Sequence, residues 1–242
     1  AAFVTAGAGY YVAKHGNRSV TSKCGSADIL EALGVNIMID QKKVSESLKK
    51  IGIAFLFAPL LHDSVKNAVP VRRDIAIRTL FNILGPLVNP ANSDRQLIGV
   101  YEKGMVDKLA KTLINLNVKR ALVVHGSDGL DEITTTGYSH FAEVNNGWVK
   151  SYEFDPRNFG FRYAPPDELL GGDIKTNKMI ALSVLKGEKG FKHDIVLLNA
   201  AAAIYLADDK LSLEESIIKA EKSIESGAAF EKLNELIKFT NN

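Results

Sequence analysis

Three stretches of the 242-residue chain concentrate side chains able to handle a phosphorylated, anionic substrate. The first runs Lys14-His15-Gly16-Asn17-Arg18-Ser19-Val20-Thr21-Ser22-Lys23-Cys24-Gly25-Ser26-Ala27-Asp28. It sets three cations, two glycines and several hydroxyls between a strand end and a helix start. The backbone N–H groups of such a turn form an anion cradle, to which lysines add point charges and Asn or Ser neutral donors. A solvated basic loop would have the same composition. Its place after a buried strand favours a ligand, because open α/β sheets bind ligands beyond the carboxyl ends of their strands.

The second stretch, His125-Gly126-Ser127-Asp128-Gly129-Leu130-Asp131-Glu132, also follows a buried strand. Adjacent carboxylates on a glycine-rich loop suit Mg²⁺, which takes a few carboxylate oxygens and fills its other positions with water and substrate phosphates. The plain alternative is an acidic turn with Asp128-Gly129 at its corner. The third, Pro70-Val71-Arg72-Arg73-Asp74, leads into an apolar helical segment and Gly85-Pro86-Leu87-Val88-Asn89-Pro90. An arginine there could grip a carboxylate in bidentate fashion, while an Arg–Asp surface pair would need the same residues.

Other signals lead nowhere. Gly7-Ala8-Gly9 lacks the third glycine and the preceding strand of a dinucleotide fingerprint. The five histidines have no metal-ligand spacing, and the single cysteine, Cys24, excludes both an internal disulfide and a structural zinc site. Neither a nucleophile elbow nor a P-loop is present.

The elements that must carry these stretches read as α/β. Residues 1–13 predict a helix running into a strand at Tyr11–His15. A helix over 26–34 follows, with Ser26 or Asp28 as cap and Gly34 just past its end. A helix over Val44–Ile51, capped by Ser45, precedes a continuous apolar strand, Ile53–Pro59. Val71–Leu84 has helical spacing. Leu97–Tyr101 and Ala121–His125 read as buried strands around an amphipathic helix, Met105–Leu116, the pattern of a parallel crossover. Short strands over Thr134–Phe154 and helices at Lys178–Lys186, Ile195–Ala207 and Leu213–Lys238 complete the chain. The run Ile195–Leu206 is too short for a membrane span and is interrupted by Asn199, so it reads as a core helix. A formal net charge of +2 leaves no electrostatic case for nucleic acid or a membrane surface.

Taken together, Lys14–Asp28 (KHGNRSVTSKCGSAD, then LEALG), Arg72–Ala91 (RRDIAIRTLFNILGPLVNPA) and His125–Glu132 (HGSDGLDE) resemble the anthranilate phosphoribosyltransferase family, in its order and along the whole chain. The KHGNR…GSAD pattern is shared with pyrimidine nucleoside phosphorylases; the other two stretches are more specific. The resemblance implies a Mg²⁺-dependent glycosyltransferase of tryptophan biosynthesis, cytoplasmic, that moves the phosphoribosyl group of phosphoribosyl pyrophosphate to anthranilate. It implies donor binding by Lys14, Asn17 and Ser26, and metal binding by Asp131 and Glu132. Asn17, His62, Arg72, Gly85 and Pro86 would line the anthranilate site. The implied fold is a large α/β domain, 1–71 and 94–242, with a mixed, mainly parallel central sheet flanked by helices. Residues 72–93 would be an inserted remnant of a small helical domain. The family's Gly-Thr-Gly-Gly-Asp loop and Asn-x-Ser-Thr segment do not occur, nor does most of the helical domain that usually forms its homodimer interface. The expectation is therefore a chain that starts after the N-terminal portion of such an enzyme, with part of the pyrophosphate cradle lying before Ala1. A pyrimidine nucleoside phosphorylase and a non-catalytic fragment are the alternatives.

Overall fold

A computed structural model describes residues 1–19, 24–61 and 87–242. The order of elements is α1 (Ala2–Gly7), β1 (Val12–Gly16), α2 (Ser26–Ala32), α3 (Gln41–Ile51), β2 (Ile53–Phe57) and α4 (Ala58–Leu61). Then come β3 (Arg95–Gly99), α5 (Val106–Asn115), β4 (Arg120–Gly126), β5 (Ser139–Asn145) and β6 (Trp148–Phe154). Four helices close the chain: α6 (Ile174–Leu185), α7 (Phe191–Ala207), α8 (Leu213–Glu225) and α9 (Ala228–Asn241). The helix predicted over Val71–Leu84 lies outside the described residues.

The α/β architecture with mixed sheets is as expected. Among the described residues β1 and β2 pair in parallel, with Lys14 opposite Phe55. A second sheet has the order β3-β4-β5-β6, in which β3–β4 is parallel and the other two pairs are antiparallel. Strands β5 and β6 form a hairpin turned at Asn146-Gly147, both at positive φ, a sequence suited to the twist of such turns.

Helix α7 joins the layers. Its Leu197, Ala200, Ala201 and Ile204 belong to the same buried core as Phe55 and Phe57 of β2, while Leu198, Ala202 and Leu206 belong to the core under Leu122, Val124 and Phe141 of the larger sheet. Being covered on both sides is why its sequence is apolar all round rather than striped. Its C-terminal end is tied to the sheet by Asp209, whose carboxylate takes the guanidinium groups of Arg95 and Arg120, each at 2.7 Å.

Several boundaries differ from the sequence reading. The helix expected over Leu213–Lys238 is two, α8 and α9, broken at Gly227, whose φ of 77° is a left-handed conformation that glycine adopts without Cβ strain. Helix α3 starts earlier than expected because Asp40 caps it, accepting from Lys43 N at 2.7 Å; Ser45 is inside the helix. At α2 the cap position is Gly25, so Ser26 is the first helical residue. Asp28 sits in the first turn and reaches back to Gly25 N. Strand β2 stops at Phe57, where α4 begins.

Candidate functional site

The lysine loop leaves the end of β1. Lys14 and Asn17 are exposed and Ser26 is half-buried. The loop's shape comes largely from Asp28, whose Oδ2 accepts the N–H of Gly25 at 2.8 Å and of Ser19 at 3.1 Å. Those two backbone bonds, Ser19 first, hold its carboxyl below the usual carboxylate range, with Arg18 nearby assisting. Asn17 folds inward: its Oδ1 accepts Arg18 N at 2.7 Å, and its carbonyl accepts Ala27 N at 3.2 Å and Ser26 Oγ at 3.4 Å. Arg18, one of the three cations of this stretch, makes a two-pronged pair with Glu31, its NH2 at 2.8 Å from Oε1, and lies over the ring of Phe57. Lys23 lies outside the described residues.

The carboxylate loop leaves β4, and the two readings of it divide among its residues. Asp128-Gly129 is indeed a turn corner, with Gly129 N–H donating to Gly126 O and Gly126 N–H to Leu130 O, both at 2.9 Å. Asp128 faces into the loop: its Oδ2 accepts the hydroxyls of Thr134 (2.5 Å) and Thr136 (2.6 Å), and its Oδ1 accepts Leu130 N (3.1 Å). Burial pushes this carboxyl up, but the three donors together outweigh it and leave the group more acidic than usual. Asp131 and Glu132 instead point to solvent, and among the described residues neither carboxylate makes a hydrogen bond or ion pair.

The two loops meet. Lys14 and Glu132 are open to solvent while protein crowds them from behind. That crowding is the largest influence on both, lowering the lysine's pKa and raising the glutamate's. Glu132 and then Asp131 oppose the shift at Lys14. Asp131 adds to the rise at Glu132 by like-charge repulsion, which Lys14 partly relieves. Two adjacent carboxylates that repel, with free oxygens and a lysine within electrostatic reach, fit a divalent cation shared with a phosphorylated ligand. No group of three or more His, Cys, Asp or Glu converges among the described residues, so any metal held here would complete its shell from water and ligand.

His62 and, from the third stretch, Arg72, Gly85 and Pro86 lie outside the described residues. Its end is described: Asn89 donates from Nδ2 to Ala13 O at 3.2 Å, immediately before Lys14, and so anchors that stretch beside the lysine loop.

Two residues the sequence reading passed over hold the carboxylate loop. A Cβ built on Gly99, the last residue of β3, would sit 1.5 Å from the carbonyl oxygen of Asp131. The buried Asn199 of α7 bonds the backbone of Ile133 through both ends of its amide. Asn199 did leave a signal, as the polar residue interrupting an apolar run; Gly99 left none beyond its identity.

Comparison with known proteins agrees along the chain. Residues 1–230 match the family model described as glycosyl transferase family, a/b domain. The anthranilate phosphoribosyltransferase of Acetivibrio thermocellus is 51% identical over 240 residues, 99% of this chain and 70% of the relative. That of Methanocorpusculum labreanum is 54% identical over 98% of this chain and 69% of its own length. The crystal structure of anthranilate phosphoribosyltransferase from Thermus thermophilus superposes with a TM-score of 0.93 at 39% identity, over 100% of this chain and 72% of that one. The Saccharomyces cerevisiae enzyme in complex with PRPP and Mg gives 0.89 at 28% identity, over 99% of this chain and 68% of that one. Among the described residues no helix is long and apolar enough to cross a membrane.

Proposed function

We propose, from the premise that the chain belongs to the anthranilate phosphoribosyltransferase family, that it joins the phosphoribosyl group of phosphoribosyl pyrophosphate to the amine of anthranilate. The products are N-(5-phosphoribosyl)anthranilate and pyrophosphate, in a step of tryptophan biosynthesis. The observation that supports the site assignment is that Lys14, at the end of β1, lies within electrostatic reach of Asp131 and Glu132, which follow β4.

In this reading Asp131 and Glu132 hold Mg²⁺, which when bound neutralises charge on the departing pyrophosphate. Lys14 supplies a fixed positive charge to the same phosphates, and the turn containing Asn17 and Ser26 orients the donor. Arg72 grips the anthranilate carboxylate, with Asn17, His62, Gly85 and Pro86 shaping the pocket, and residues 72–93 form an inserted helical piece between the α/β segments. The end of that piece, at Asn89, is bonded to β1 beside Lys14, which supports a shared donor and acceptor site. The chemistry requires no covalent nucleophile. An electrophilic ribosyl carbon meets a positioned amine, so orientation and charge placement do the catalytic work. A biosynthetic enzyme with a single cysteine suits the reducing cytoplasm.

Mixing the full-length protein with donor, anthranilate and Mg²⁺ should consume anthranilate, followed by loss of its fluorescence, and removing Mg²⁺ with a chelator should stop the loss. Unchanged fluorescence would refute the reading. Phosphorolysis of thymidine or uridine in its place would reassign the protein as a pyrimidine nucleoside phosphorylase.

A further inference from the structure

We infer that Asn199 is a positioning residue for the metal-bearing carboxylates: by locking the peptide of Ile133 it sets how Asp131 and Glu132 leave the protein surface. This rests on the assignment of those carboxylates made above.

The side chain is an anomaly in its surroundings. Leu198, Ala200, Ala201 and Ala202 on either side are fully buried, and Asn199 itself is only 5% exposed. An amide buried in apolar surroundings is costly unless its groups are bonded. Here they are: Oδ1 accepts Ile133 N–H at 3.1 Å, while Nδ2 donates to Ile133 O at 2.8 Å and to Ile195 O at 2.9 Å. The last bond, to the preceding turn of α7, fixes the side chain's orientation. The other two form a closed pair with one residue, the neighbour of Glu132.

That residue lies in a segment fastened on every side. Asp128 clamps Thr134, Thr136 and Leu130, and Ser139 Oγ accepts Thr134 N at 3.0 Å. The backbone of Asp131 rests on Gly99, where no Cβ fits. These ties engage backbone and hydroxyl groups between 128 and 136, and none engages the carboxylates of Asp131 or Glu132. The arrangement fixes their origin and leaves their oxygens available, as partners behind metal ligands commonly do.

The test uses the full-length protein and its Asn199→Leu variant, which keeps the apolar packing volume but removes the bonds to Ile133. Mg²⁺ with inorganic pyrophosphate is titrated calorimetrically, alongside the half-saturating Mg²⁺ for turnover, KM for anthranilate and Tm. Binding of the Mg²⁺–pyrophosphate pair should weaken by about tenfold to a hundredfold. Half-saturating Mg²⁺ should rise in parallel, and KM for anthranilate should stay within about twofold. A variant with a lowered Tm but unchanged Mg²⁺–pyrophosphate binding would reduce Asn199 to a purely structural residue and overturn the inference. Should Asn199→Leu fail to fold, Gly99→Ala pushes on the backbone of Asp131 in the same loop, and unchanged binding there would overturn the inference equally. If the unmodified protein binds Mg²⁺–pyrophosphate without consuming anthranilate, the functional reading fails and the positioning inference stands. If it does not bind the pair at all, both fall.

Discussion

The loops after β1 and β4 face the same substrate in the proposed reaction, yet they are built differently. The β4 loop is fastened by groups distant in sequence: Asn199 reaches it across 66 positions from the middle of a buried helix, and Gly99 supports it from the end of β3. In the described part of the β1 loop, Asp28 bonds Ser19 and Gly25, and Arg18 pairs with Glu31, all close in sequence. The contrast follows chemistry. Two like-charged carboxylates must be held where repulsion would disperse them, and only a rigid base can do that. A loop that meets phosphate through backbone N–H groups needs mainly the right turn, which local bonds supply.

The comparison is tested hardest by removing the carboxylates. Replacing Asp131 and Glu132 together by Ala should cut kcat/KM by about a hundredfold to a thousandfold, the rate equivalent of losing several kcal/mol of charge stabilisation. Because neither side chain makes a bond among the described residues, Tm should barely move. Steady-state assays across Mg²⁺ concentrations, with thermal unfolding in parallel, check both halves. Retained Mg²⁺ dependence would remove the metal assignment. A large drop in Tm would show that the carboxylates belong to the scaffold and erase the distinction between ligand and support.

Legibility in the sequence divides along the same line. Lys14, Asp131 and Glu132 could be singled out as candidates by residue type and strand-end position, while the roles proposed for them came from the family resemblance. The strands β2 and β4 and the helix α7 were readable because burial on both faces makes a continuous apolar run. Gly99 was not, since its importance is a missing Cβ against a carbonyl 32 residues later, which no local pattern encodes. Asn199 was visible as an oddity, but its partner was not. The break at Gly227 was hidden because Ile224, Ala229, Leu233 and Leu236 keep the apolar face going across it, and all four are buried. Caps were misplaced where two polar residues competed: Asp28 works from inside the helix, and Asp40 stood upstream of the predicted start.

The next effect in size concerns the local loop. Asp28→Ala removes a carboxylate that accepts two backbone N–H groups and should destabilise the protein by about 1–3 kcal/mol. It should also raise KM for the donor more than KM for anthranilate. Equal effects on both would mean that this loop serves the whole cleft. The stabilisation also has a pH signature. With its folded pKa depressed, Asp28 contributes fully above its unfolded value of about 4 and loses that contribution as pH falls through the folded pKa. The stability gap between wild type and Asp28→Asn, read from urea unfolding at pH 7, 4 and 3, should therefore be full at neutral pH and narrow below about pH 4. A gap that widens on acidification would contradict the hydrogen-bond cause.

The smallest effect is the most discriminating for the β1 loop. Arg18 is roughly half exposed and Glu31 about a third, so their pair is screened by water and should contribute no more than about 1 kcal/mol. Arg18→Gln should shift Tm only slightly and, because its guanidinium is committed to Glu31 rather than to the cleft, should change KM for the donor by less than about twofold. Glu31→Gln frees that guanidinium without removing it. If the donor binds more tightly in Glu31→Gln and more weakly in Arg18→Gln, the arginine exchanges partners during the cycle. The β1 loop would then be adjustable at a second cation besides Lys14, which sharpens its difference from the fixed loop after β4. Identical donor KM values in both variants would make the pair a local brace and leave Lys14 as the cation that matters there.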